Sequence, residues 1–134
     1  MTAMFGIRRF VVRGANPHIS LPRWVKPTLE AVVPLFSLQK NWDTYGALPI
    51  NAKTTERALE VLLTIMGYET PAPSVVHTSG GGIQFEWHLG GIDLEIDIPP
   101  TMDPVFEFEA NGKEIAGKLP DDAGLLADLV SRLS

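Results

Sequence analysis

Gly90-Gly91 separates two runs that alternate with a two-residue period, and no other feature of the chain constrains the fold as much. Before the pair, Ile83, Phe85, Trp87 and Leu89 alternate with Gln84, Glu86 and His88. After it, Ile92, Leu94, Ile96 and Ile98 alternate with Asp93, Glu95 and Asp97. Successive strand residues point to opposite faces, so each run has one apolar and one polar face. Glycine supplies the positive φ that a tight primed turn requires. The spacing therefore predicts a β-hairpin over residues 82–98. A two-residue turn sets Leu89 against Ile92, Trp87 against Leu94 and Phe85 against Ile96 on the apolar face. On the polar face His88 meets Asp93, Glu86 meets Glu95 and Gln84 meets Asp97.

Other segments supply the rest of an α+β domain. Val75–Thr78 reads as a short strand before the hairpin. Val105–Glu109 is a strand with Phe106 and Phe108 on one face and Glu107 and Glu109 on the other. Asn111-Gly112 turns it into a short Glu114-Ile115-Ala116 arm. Pro27 suits the first turn of a helix whose stripe is Leu29, Val32, Val33 and Phe36, with Pro34 shortening it. Asn51 is an N-cap for a second helix that buries Ala58, Leu59, Leu62, Leu63 and Met66 and turns Glu56, Arg57 and Glu60 to water. Asp121 caps a third helix, with Leu125, Leu126, Leu129, Val130 and Leu133 inward. The expected architecture is two-layer: an antiparallel sheet of three to five strands built on the hairpin, covered on one face by about three helices.

The chain has 134 residues, enough for one core without staples, and no cysteine, which removes disulfides and thiolate chemistry. No apolar run approaches a membrane span, and Arg8-Arg9 break the opening segment, so a cytoplasmic protein is expected. The net charge of -5 is unevenly spread. Residues 1–40 carry six basic residues and one acidic, whereas residues 83–134 carry three basic and eleven acidic. Residues 1–29 form a basic segment, with a short strand at Phe5–Arg13 and a loop after it. Residues 30–134 form the α+β domain.

Between the first two helices, Asn41–Ile50 (NWDTYGALPI) breaks every period. Trp42 and Tyr45 either pin this connection to the core or, with Asp43, form an exposed recognition loop. Residues 36–100 resemble a group of small bacterial proteins with no assigned activity. Their shared pattern is N-W-D-x-Y-G-A-x-P followed by G-G-[IV]-x-x-E-W and an alternating acidic strand. The resemblance implies a bacterial-type cytosolic domain and lends no catalytic residues. The basic first 29 residues lie outside it.

The polar hairpin face is the candidate functional surface. Glu86, His88, Asp93, Glu95 and Asp97 share it, and Glu107 and Glu109 join it if the next strand pairs with the hairpin. Directly opposed carboxylates destabilise a sheet. A solvated face is one explanation. Another is a docking surface for a basic protein partner, or for the basic N-terminal arm of another copy in a homodimer. A third is a metal-dependent hydrolase in which Glu86, His88, Asp93 and Glu95 converge on a cation or act as acid and base. No nucleophile motif accompanies His18, His77 or His88, so no catalytic residue and no cofactor is assigned. Nucleic-acid binding has only the basic first segment for it, against an acidic domain. The sequence therefore favours a non-enzymatic interaction module, such as an antitoxin, immunity or inhibitor protein.

Overall fold

The computed structural model describes residues 21–37, 46 and 48–134. The strand expected at Phe5–Arg13 and the aromatic loop of Trp42, Asp43 and Tyr45 lie outside these residues.

Helix α1 (Val25–Val32) runs into a 3-10 turn at Val33–Ser37. Helix α2 (Ala52–Ile65) is followed by strands β1 (Ser74–His77), β2 (Ile83–Leu89), β3 (Ile92–Ile98), β4 (Val105–Ala110) and β5 (Lys113–Lys118), and helix α3 (Ala123–Ser131) comes last. The five strands form one antiparallel sheet in the order β1-β2-β3-β4-β5, so sheet order is chain order. Tight turns make this possible. Gly90 and Gly91 have φ of 62° and 76°, and Asn111 and Gly112 have 54° and 78°, the left-handed pairs of two-residue hairpins.

The hairpin register is the one the alternation predicts, from Ile83 opposite Ile98 to Leu89 opposite Ile92. Ile83, Phe85, Trp87, Leu94, Ile96, Ile98, Phe106 and Phe108 form the core face of the sheet. Ala58, Leu62 and Ile65 of α2 pack on it with Leu126, Leu129 and Val130 of α3. Trp87 is 1% exposed, and its indole Nε1 donates a 2.8 Å hydrogen bond to the carbonyl of Pro71, so its one polar atom is satisfied. Gly117 lies opposite Phe106, and a Cβ there would come within 2.5 Å of the phenyl Cζ.

The helices depart from the sequence expectations in particular places. Asn51 caps α2 as expected, accepting from the Thr54 N–H at 2.7 Å. Its buried stripe is Thr54, Thr55, Ala58, Leu62 and Ile65, while Leu59 and Leu63 are half-buried. Arg57 is not turned to water. Its guanidinium donates to the carbonyls of Pro99 and Met102, at 2.6 Å each, and ties α2 to the β3–β4 connection. In α1 the buried residues are Val25, Thr28 and Val32, and Val33 is 59% exposed. Pro34 cannot donate to the preceding turn, and the chain tightens to a 3-10 helix there. Trp24 and Val25 belong to the core, and α1 runs through position 29, the end of the basic segment.

In α3 the N-cap is Asp122 rather than Asp121. The Asp122 carboxylate accepts from the Lys118 N–H at 3.0 Å, and Asp121 sits 3.7 Å from the Lys118 ammonium. Leu125 is 42% exposed and outside the buried stripe.

Candidate functional site: an open carboxylate face

The helices cover one face of the sheet, and the register assigns the other. Three rows of directly paired residues cross it. The middle row is Ser74, Glu86, Glu95, Glu107 and Ala116. Towards the β2–β3 turn lies the row His88, Asp93, Glu109 and Glu114. Towards the other end lies Val76, Gln84, Asp97, Val105 and Lys118. All seven of the residues expected on this face are there: Glu86, His88, Asp93, Glu95, Asp97, Glu107 and Glu109.

Two side chains organise the β2–β3 half. The Gln84 amide donates to Glu86 Oε2 and to Glu95 Oε1, at 3.1 Å each, and so bridges the directly opposed glutamates. His88 Nδ1 lies 2.7 Å from Asp93 Oδ1, and Nε2 lies 3.0 Å from Glu86 Oε1. A neutral imidazole has one N–H, and the imidazolium has two and satisfies both carboxylates. The Asp93 hydrogen bond, and then that of Glu86, raise the His88 pKa above its ordinary 6.5. On the third row, burial raises the Asp97 carboxyl above the usual carboxylate range.

The Glu86–Glu95 contact is thus relieved by Gln84 and His88, and is not bare repulsion. The β4–β5 half differs. Glu95 is directly opposite Glu107, and Glu109 stands between Asp93 and Glu114. Among the described residues no lysine or arginine pairs with these carboxylates. A concavity of about 340 Å³ opens here, lined by His88, Asp93, Glu95, Glu107, Glu109 and Glu114. A second, of about 230 Å³, is lined by Gln84, Glu95, Asp97, Val105 and Glu107.

Glu86, His88 and Glu95 each present a ligand atom within 4.8 Å of the others, a donor set that suits a borderline divalent cation. Asp93 is not one of the three. It holds the far ring nitrogen, where a carboxylate orients an imidazole rather than ligating. Of the four residues expected to converge, the fold therefore brings three together.

Sequence reasoning missed Gln84 as a bridge and Glu114 as a member of the face. Both were within reach: Gln84 shares the face of Glu86 two residues on, and the Asn111-Gly112 turn fixes Glu114 opposite Glu109. Comparison with protein-family models, curated proteins and solved structures finds no match. No helix among the described residues is long and apolar enough to cross a membrane.

Proposed function

We propose that the protein is a non-enzymatic interaction module whose open sheet face docks a basic surface of a protein partner. The observation that carries this reading is the glutamate row Glu86–Glu95–Glu107, continuous across three neighbouring strands. With Asp93–Glu109–Glu114 beside it, three acid pairs (Glu95–Glu107, Asp93–Glu109 and Glu109–Glu114) stand directly opposite one another with no side chain bridging them among the described residues. Each such pair costs roughly 0.2–1 kcal/mol. Together they cost on the order of 1–3 kcal/mol, a sizeable part of the roughly 5–15 kcal/mol that holds a domain folded. Solubility alone is served by mixed charges, which carry no such penalty. A basic partner turns the same repulsion into attraction and gains steered association. An antitoxin, immunity or inhibitor protein in a bacterial cytoplasm fits this chemistry.

The test compares the wild type with Glu95→Lys/Glu107→Lys, both checked for fold by circular dichroism. The native host's partner should be captured by the wild type, lost by the double variant and released by salt. Capture of the same partner by both proteins removes the reading.

A second reading is favoured by the convergence of Glu86, His88 and Glu95. In it the three ligate a divalent cation of a metal-dependent hydrolase, with Asp93 orienting the imidazole. It requires saturable one-to-one binding of Zn²⁺ or Mn²⁺ by calorimetry, abolished in Glu86→Gln. Titrations without metal-dependent heat dispose of it.

A further inference from the structure

We propose that the outer edge of β5 pairs with the β5 edge of a second copy of this chain, antiparallel and about a two-fold axis at Ile115. The first argument is the backbone. β5 is the last strand of the sheet, with β4 on one side of it. The two-residue turn at Asn111-Gly112 makes Ala110 and Lys113 the first hydrogen-bonded pair of the ladder. Bonded and non-bonded pairs alternate from there. Lys113, Ile115 and Gly117 therefore bond to β4, while Glu114, Ala116 and Lys118 aim their backbone groups outward. At Lys118 both groups are taken within the chain. Its N–H donates to the Asp122 carboxylate at 3.0 Å, and its carbonyl accepts from the Asp122 N–H at 2.8 Å. The outward groups of Glu114 and Ala116 meet no partner among the described residues.

The second argument is register. With the axis at Ile115, Glu114 exchanges both backbone bonds with the second copy's Ala116, and Ala116 with the second copy's Glu114. Every open group of the edge is then used by a single self-complementary contact. Centring Ala116 instead needs the groups of Lys118 that Asp122 already holds. Centring Glu114 sets it directly against the second copy's Glu114, which like charge disfavours. An axis between two residues sets side chains of the open face opposite side chains of the covered face. Lysines guard β5 only at its two ends, Lys113 and Lys118. In the favoured register the open-face strip runs Lys118, Glu114, Glu114, Lys118 from alternate copies, so its charges cancel.

The third argument is apolar. Ile115 is half-buried, packs against the core and would meet its own copy across the axis. On α3, Ala123 and Ala127 face α2, and Arg132 lies 5.8 Å from the ring of Phe108, the residue opposite Ile115. Leu125 falls on the flank turned from α2, above this edge, and is 42% exposed. The pairing joins two five-stranded sheets with their open faces on the same side. The row Glu86–Glu95–Glu107–Ala116 then continues into the second copy's Glu114–Glu109–Asp93. The pairing does not depend on the docking reading.

The full-length chain allows a direct test. In sedimentation equilibrium over a concentration series, the wild type should shift from monomer to dimer. Ala116→Pro removes an outward N–H and leaves the β4–β5 ladder bonded, so it should keep the circular dichroism spectrum and lose the shift. A wild type that stays monomeric throughout overturns the proposal, and a dimer that survives Ala116→Pro assigns the contact to another surface and overturns it as well. A second variant reads the register. The chain has no cysteine, and facing residues at a non-hydrogen-bonded site have Cα atoms about 4.5 Å apart, within disulfide reach. Ile115→Cys should therefore form an intermolecular disulfide under mild oxidation far faster than Met102→Cys, placed at the 68% exposed position of the β3–β4 connection. Equal rates overturn the two-fold pairing at Ile115. None of these results decides the Glu95→Lys/Glu107→Lys capture experiment.

Discussion

His88 Nδ1 lies 2.7 Å from Oδ1 of Asp93, the residue directly opposite it across the β2–β3 ladder. Because the other ring nitrogen faces Glu86, the imidazole is held between two carboxylates on an exposed surface. Its charge state sets how negative that part of the face is at neutral pH.

His88 should titrate above 6.5 by NMR, and Asp93→Asn should lower its midpoint more than Glu86→Gln, following the order of the two causes. A raised histidine pKa means that the folded state binds the proton more tightly. The stability this adds is complete below pH 6.5 and is lost as pH rises through the elevated pKa. The stability gap between wild type and His88→Gln should therefore narrow as pH increases over that range. A gap that widens with pH contradicts the arrangement.

Gly117 should not tolerate a side chain. A Cβ would lie 2.5 Å from Phe106 Cζ and 2.8 Å from Asp122 Oδ2, on the core side of the sheet. Gly117→Ala should cost about 1–3 kcal/mol in urea unfolding. An unchanged midpoint would show that the ring moves aside freely.

Thr28 is fully buried in α1, and its hydroxyl finds no partner among the described residues. Replacing it by a residue of the same shape removes the desolvation penalty. Thr28→Val should raise stability by roughly 1–2 kcal/mol, read from the thermal midpoint. A loss of stability would reveal a partner for the hydroxyl.

The hairpin was legible in the sequence because Gly90-Gly91 fixes both the turn and the register, and a one-residue slip would send Phe85 and Trp87 to water. The carboxylate face followed from that register. The helices were less legible. Trp24 sits in no periodic run, so nothing marked it as core. Val33 left the predicted stripe because Pro34 tightens the turn from about 100° to about 120° per residue, and faces drift as it does so. Local competition for backbone groups hid the cap of α3, where the Asp122 carboxylate serves the end of β5. Composition likewise could not tell that Arg57 clamps two carbonyls 42 and 45 residues away.

The order of the strands along the sheet bears on how the acidic surface meets a ligand. β3 is the middle strand, paired on both sides, and Asp93, Glu95 and Asp97 ride on it. A backbone bonded on both flanks opens least often. Its charges are therefore fixed in place before any encounter, and a ligand that matches their spacing loses little conformational entropy on the protein side.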